Sequence, residues 1–213
     1  MPAPTPKPAG PRRRRLAPDD RRQEIVDAAR HLFSLRPYLS VTTAEIADQA
    51  GVARSLVHHY FGGIRGVFLA VAADGAAALS AARSAGPEVP FEERTARNVA
   101  ASLDVIAEHR ETWMALVGHP LDPSDTDIHA LVLAAKEHGI DVTLRANSDL
   151  LDDTPEARFA LRCFSEFTIA ATRTWLLGER SRVETETLLL TTGRNLLLHV
   201  IPALSGPDRD PTD

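Results

Sequence analysis

The residues best suited to chemistry lie together in one short segment in the first third of the chain. Residues 54 to 59 place an arginine, a serine and two histidines at offsets that share one face of a helix. Together with one apolar side chain, this set is Arg54, Ser55, Leu56, His58 and His59. Its hydrogen-bond donors and acceptors suit the phosphate oxygens and base edges of a DNA groove. We therefore predict that this face contacts nucleic acid.

A run of four arginines near the N-terminus is a second candidate for contact with a polyanion. Arg12, Arg13, Arg14 and Arg15 follow a leader with proline at five positions, a composition that favours an extended arm over a helix. Residues 1–70 hold 11 Lys or Arg against 6 Asp or Glu, whereas residues 71–213 hold 13 against 23. The basic excess is therefore N-terminal, although the whole chain carries a net charge of −5. Two interpretations stay open: a solubilising tail or address, or an arm that lies along DNA.

Catalytic and metal-binding residues show no comparable pattern. The eight histidines are scattered, and neither an H-E-x-x-H motif nor a paired C-x-x-C motif is present in the sequence. The motifs G-x-S-x-G and G-x-G-x-x-G and the phosphate loop are absent from it as well. The single cysteine, Cys163, excludes an internal disulfide, and its apolar helical surroundings predict a buried, inert thiol. We therefore expect no enzymatic activity, no cofactor and no metal site.

The 213 residues provide enough chain for a sizeable core in one or two domains. Uninterrupted apolar runs reach only a few residues, whereas a membrane-spanning helix needs about 20. The N-terminus also lacks the apolar stretch of a secretory signal. We expect a cytoplasmic protein with no membrane partner.

Two short helices joined by a glycine turn are the elements that must position the polar face. Thr42 and Glu45 have capping-box spacing, so the Thr42 hydroxyl accepts from the Glu45 amide while Glu45 reaches back. This predicts a helix that begins at Thr43 and ends at Gly51, which supplies the positive φ of a sharp turn. A second periodic stretch begins at Arg54. The pair has the pattern of a helix-turn-helix unit.

Residues 21–70 as a whole resemble the N-terminal domain of the TetR family of bacterial transcriptional regulators. The resembling positions are Arg22, Ile25, Ala28, Ala29, Leu32 and Phe33, then Val41, Thr42, Thr43, Ile46, Ala47, Ala50, Gly51, Val52 and Ala53, and then Leu56, Val57, Tyr60, Phe61, Gly62 and Gly63. They stand in the order and spacing typical of that family.

Three positions depart from the family pattern. His58 stands where a tyrosine is common, Ile64 where a lysine is common, and residues 36–38 replace a usual glycine in the preceding loop. Ile64 removes one expected phosphate contact. Arg65 could replace that contact in part, and the arginine run could more than offset it.

The resemblance implies an all-α fold, with an N-terminal three-helix DNA-binding domain containing a helix-turn-helix and a C-terminal helical ligand-binding and dimerisation domain. We expect a disordered Pro/Arg-rich arm at 1–18, the DNA-binding domain at 19–66, the effector-binding and dimerisation domain at 67–205, and a disordered tail at 206–213. The expected DNA-binding residues are Thr42, Thr43, Arg54, Ser55, Leu56, His58, His59, Tyr60, Arg65, Arg12, Arg13, Arg14 and Arg15.

The C-terminal part contains two strongly apolar helical stretches, at 155–177 and 183–201. Leucine triplets at 188–190 and 196–198 put apolar side chains on most of the helix circumference, which predicts a partner surface. We expect a dimer interface at Phe167, Trp175, Leu189 and Leu197. Trp113, Met114, Phe164 and Phe167 are candidates for the lining of a ligand cavity, with ordinary core packing as the alternative.

By resemblance, the chain is a transcriptional regulator that binds double-stranded operator DNA. We expect a repressor that binds a palindromic operator as a homodimer and is released by a small, largely apolar effector. Ile64 and His58 leave open a helical ligand-binding protein that no longer binds DNA specifically. An all-α enzyme would need a catalytic constellation that the sequence does not contain.

Overall fold

The computed structural model describes residues 18–117 and 126–205, and within these ranges every regular element is a helix. The helices are α1 (Pro18–Leu35), α2 (Thr43–Ala50), α3 (Arg54–Phe61), α4 (Ile64–Ala82), α5 (Phe91–Glu108), α6 (Arg110–Val117), α7 (Thr126–Ala146), α8 (Pro155–Leu176), α9 (Arg182–Asn195) and α10 (Ile201–Leu204). A short 3₁₀ turn at Tyr38–Ser40 joins α1 to α2, and a π turn at Leu196–Val200 joins α9 to α10. The all-α prediction is confirmed. The arm through residue 17 and the tail from 206 lie outside the described residues.

The N-terminal core forms where α1, α2, α3 and the first half of α4 meet. Its fully buried side chains include Ile25, Phe33, Ile46, Val57 and Phe68, which recur at helical spacing along these elements. Ile128 of α7 joins the same cluster, so the two predicted domains share a boundary layer of packing. The division at residue 66 falls inside the continuous helix α4 and stays a prediction.

The C-terminal part packs α5 to α10 around two smaller clusters of buried side chains. One joins α7, α8 and the end of the chain through Ile140, Leu161 and Leu197, and the other joins α5, α8 and α9 through Leu103 and Leu189. Helix α7 continues unbroken through Gly139 and ends at Ala146. The apolar stretch predicted to be helical over 183–201 changes to a π turn at residue 196.

The leucine triplets are not uniformly exposed, which corrects the predicted dimer residues. Leu189 and Leu197 are 5% and 7% exposed and belong to the protomer's own core, whereas Leu188 and Leu198 are 46% and 40% exposed. Successive residues of a helix lie about 100° apart, so the middle leucine of each triplet faces inward while a neighbour faces out. The expectation for Cys163 was also wrong, because this residue is exposed on the outer side of α8.

Two helical stretches, α4 and residues 182–204, are long and apolar enough by length and composition to cross a membrane. Core helices of globular proteins pass the same test of length and composition. In α4, Asp74 pairs with Arg30 of α1, and the helix contacts α1, α5, α6 and α7. These contacts are those of a helix at the centre of a folded domain. The absence of a membrane partner stays a prediction.

Candidate nucleic-acid interface and interior cavity

The start of α2 is fixed by the predicted capping box. The Glu45 amide donates to the Thr42 hydroxyl over 3.3 Å, and the Thr42 amide donates to the Glu45 carboxylate over 2.8 Å. Arg36 adds a 2.5 Å ion pair to the same carboxylate. The Arg36 guanidinium and then the Thr42 hydrogen bonds lower the pKa of Glu45 to about 2. Arg36, a departure from the family loop, therefore contributes to the cap.

Two glycines shape the corners on either side of α3. Gly51 has a φ of 63°, and the chain turns there as the Val52 amide donates to the Ala47 carbonyl over 2.9 Å. At the α3–α4 corner, a Cβ on Gly66 would lie only 1.8 Å from the Phe61 carbonyl oxygen. This close approach requires glycine. The sequence signal that could have indicated it was a glycine inside an otherwise regular helix.

Arg54 and His58 are held on one exposed face of α3 by a single threonine. The Thr43 hydroxyl accepts a 3.2 Å hydrogen bond from Arg54 Nε and lies 3.3 Å from His58 Nε2. Ser55 and His59 are exposed beside them, and Thr42 is exposed at the start of α2. Thr43 itself is only 7% exposed. Thr43 is therefore placed to position these two side chains, and its direct contact with DNA stays a prediction.

The remaining predicted interface residues are distributed differently. Leu56 and Tyr60 are partly buried and pack against the N-terminal core, which leaves only their edges on the surface. Arg65 Nη1 forms a 3.1 Å ion pair with Asp127 of α7, so its guanidinium is already engaged. Ile64 packs against the N-terminal core as well. Arg12, Arg13, Arg14 and Arg15 lie outside the described residues.

A cavity of about 270 Å³ lies inside the C-terminal part, between α4, α5, α6, α7, α8 and α9. Trp113 and Phe164 line it, whereas Met114 and Phe167 do not. Phe167 instead packs against the cluster of Leu103 and Leu189, because it lies nearly one turn beyond Phe164 on α8. Sequence reasoning missed the polar wall residues of this cavity, among them Arg83 and Arg94. Within the described residues, no group of three or more His, Cys, Asp or Glu could hold a metal ion.

The described residues thus combine an N-terminal helix-turn-helix with a larger helical part that contains an interior cavity. Residues 25–71 match the family model described as "Bacterial regulatory proteins, tetR family". These residues therefore form a TetR-family N-terminal domain.

Curated relatives resemble the chain in the helix-turn-helix region alone. The "HTH-type transcriptional regulator BetI" of Brucella anthropi is 54% identical over 43 residues, which are 20% of this chain and 22% of the relative. The protein of the same name from Rhizobium meliloti is 50% identical over 42 residues. The chain thus matches about a fifth of the length of these relatives.

Solved structures resemble the chain over nearly its whole length. A tetR-family transcriptional regulator from Streptomyces coelicolor is 25% identical with a TM-score of 0.73, over 92% of this chain and 94% of that one. A TetR transcriptional regulator from Rhodococcus sp. RHA1 shares the fold at 20% identity and a TM-score of 0.63, over 85% of this chain and 97% of that one. These proteins and the curated relatives are all named as transcriptional regulators.

Proposed function

We propose that the chain is a cytoplasmic transcriptional repressor that binds a palindromic operator as a homodimer and is released by a small effector. The observation that carries the proposal is the exposed face of α3, on which Thr43 fixes Arg54 and His58 side by side. Such a face suits a major groove, where arginine and histidine contact base edges and phosphates. The 270 Å³ cavity supports the effector part of the proposal.

The homodimer follows from how a helix-turn-helix recognises DNA. Two copies of α3 must face two half-sites about one helical turn apart, so one protomer alone reads only half of an operator. The surface that we propose for dimerisation is the outer face of α8, α9 and the π turn that follows α9. The large apolar side chains exposed on this face are Phe159, Leu188 and Leu198. We propose these residues for the dimer interface in place of Leu189 and Leu197, which are buried in the protomer.

The experiment begins with selection of bound fragments from genomic double-stranded DNA by the full chain, followed by gel-shift titration of the selected sequence. We expect Arg54→Ala to weaken specific binding by about 1 to 3 kcal/mol without unfolding the protein. Arg97→Ala is the matched control, because Arg97 is an exposed arginine on α5. Equal operator affinity of the wild type and Arg54→Ala would contradict the assignment of this face.

A second candidate function is a helical ligand-binding protein that no longer binds DNA specifically. Two observations favour it: Ile64 is packed into the core where the family commonly has a lysine, and Arg65 is paired with Asp127. Both remove positive charge from the region after the recognition helix. In this case the selection would enrich no sequence, and gel shifts would show only weak binding that disappears with added salt.

A further inference from the structure

The charge balance of the cavity wall points to the chemical class of its ligand. The ionisable lining residues are Arg83, Arg94, His109 and Lys136, and no Asp or Glu lines the cavity within the described residues. Positive groups therefore predominate around an otherwise apolar space. A charge inside a protein needs compensation, so the partners of these four groups determine which charge a ligand has to balance.

Two of the four groups are compensated by carboxylates outside the wall. Arg94 donates to both carboxylate oxygens of Asp149, over 3.0 and 3.1 Å. Lys136 Nζ lies 2.5 Å from the carboxylate of Glu166. Burial lowers the pKa of His109 from its ordinary value, so this imidazole is predominantly neutral at pH 7. None of these three side chains leaves a net charge for a ligand to balance.

Arg83 differs from the other three. Arg83 caps the C-terminal end of α4, and its Nε donates a 3.0 Å hydrogen bond to the hydroxyl of Ser102. Among the described residues, no carboxylate forms an ion pair with Arg83, in contrast to Arg94. Its Nη1 points toward α7, 3.4 Å from the position that a Cβ of Gly139 would take. Burial lowers the pKa of Arg83, yet an arginine stays charged at neutral pH. The two terminal nitrogens thus provide a planar, positively charged fork without a protein acceptor in the described part of the chain.

The remainder of the wall suits an apolar body. From Arg83 the cavity extends along α4 to Gly75, which lies beside His109. Eight residues of helix correspond to about 12 Å. The side chains over this distance are largely aliphatic or aromatic, including Leu79, Val99, Leu103, Ile106, Phe164 and Ile169. A ligand therefore meets one cationic end and a long apolar surface.

We infer that the cavity binds an amphipathic monoanion, an apolar chain or ring system with one carboxylate that pairs with the terminal nitrogens of Arg83. A carboxylate matches the fork in geometry, and its single negative charge balances the cation that has no carboxylate partner among the described wall residues. Calling this ligand the effector rests on the proposed function, whereas the ligand class rests on the cavity alone. The sequence predicts a small, largely apolar effector. The cavity wall extends this prediction by an acidic head group on the ligand.

The test is direct binding of matched probes to the full chain, by calorimetry at pH 7 in the absence of DNA. The probes are decanoate, decan-1-ol and decylammonium, which share a chain and differ in the charge of the head. We expect decanoate to bind about tenfold or more tightly than decan-1-ol and decylammonium to bind most weakly. Decan-1-ol binding as tightly as decanoate, or no binding of decanoate, would overturn the inference, and this comparison needs no variant.

Variants locate the head group. Arg83→Met should lose about tenfold or more in decanoate affinity while keeping its decan-1-ol affinity, and Arg83→Lys should retain part of the preference for the anion. Arg97→Met, an exposed arginine outside the cavity wall, should bind all three probes as the wild type does. Removal of a charge that has no carboxylate partner among the described residues should also leave the melting temperature of the free Arg83→Met protein unchanged or higher. Unaltered decanoate binding by Arg83→Met would overturn the assignment.

Failure of this inference is distinguishable from failure of the proposed function. If decanoate binds through Arg83 but operator DNA is not released, the ligand class stands and the repressor mechanism is contradicted. If operator DNA binds specifically while the cavity prefers a neutral or cationic probe, the repressor proposal stands and the ligand class is wrong.

Discussion

Thr43 is a buried residue that determines what the surface presents. Its hydroxyl contacts Arg54 and His58 at the same time, so two exposed side chains share one fixed reference point. Holding these side chains before DNA arrives reduces the conformational entropy lost on binding. We therefore propose that Thr43 positions the side chains that contact DNA.

Replacement of Thr43 by valine tests this positioning role. Thr43→Val preserves the shape of a buried side chain but removes the hydroxyl, so we expect operator affinity to fall by about threefold to tenfold. Gel-shift titration measures the affinity, and thermal unfolding verifies the fold. Thr172→Val is the control, because Thr172 is a buried threonine of α8 whose hydroxyl bonds only within its own helix. An operator affinity equal to that of the control would show that Arg54 needs no anchor.

Glu45 makes a pH-dependent contribution to the cap of α2. Its pKa is lowered from 4.5 to about 2 in the folded chain, so its stabilising effect is fully present above about pH 4.5 and is lost as the pH falls through about 2. Between these values, the melting temperature of the wild type should fall more steeply than that of Glu45→Gln. Glu179→Gln, at an exposed position on the turn before α9, should follow the wild type. If the melting temperatures of the wild type and Glu45→Gln fall equally with decreasing pH, the cap does not depend on ionised Glu45.

At the scale of elements, the corner between α3 and α4 depends on a close approach of two backbone segments. Gly66→Ala places a Cβ 1.8 Å from the Phe61 carbonyl oxygen, and neither group is the flexible end of a side chain. We expect a loss of more than about 2 kcal/mol in the free energy of unfolding, since the helices must separate to admit the methyl group. Urea unfolding followed by circular dichroism measures this free energy of unfolding.

Gly139→Ala is the matched control for this corner. Gly139 is also a helical glycine, but its Cβ would meet only Arg83 Nη1, at an ordinary distance of 3.4 Å. The free energy of unfolding of Gly139→Ala should be equal to that of the wild type or slightly higher, because alanine favours the helix. If Gly66→Ala unfolds at the same urea concentration as Gly139→Ala, the α3–α4 corner tolerates displacement.

For the whole molecule, the expected assembly is a dimer through the outer face of α8, α9 and the π turn that follows α9. Leu188→Lys combined with Leu198→Lys adds charge to two exposed apolar positions without disturbing the protomer core. Sedimentation at micromolar concentration should show a dimer for the wild type and a monomer for the double variant. Operator affinity should fall because the avidity of two half-sites is lost.

An exposed leucine elsewhere provides the control for the dimer. Leu133 on α7 is 61% exposed, and Leu133→Lys should sediment like the wild type. A wild-type chain that sediments as a monomer would contradict the proposed dimer. A double variant that remains dimeric would place the interface on another face.

The sequence by itself determined the features that depend on neighbours a few residues away. The capping box at Thr42 and Glu45 is an i, i+3 arrangement, and the left-handed turn at Gly51 needs only a residue without a Cβ. Helix existence followed from apolar spacing, since a helix repeats every 3.6 residues wherever it lies in the fold. These local rules also carried the family resemblance over residues 21–70.

Only the tertiary structure decided which side of each helix faces the core. It buries Leu189 and exposes Cys163 because the direction of a helical face depends on the elements packed around it. It also brings together partners that are distant in sequence: Arg94 is 1% exposed and pairs with Asp149 across 55 residues. No local pattern specifies such a contact, since its free energy arises from burial and from the geometry of separate helices. The cation of Arg83 inside an apolar cavity is determined in the same way.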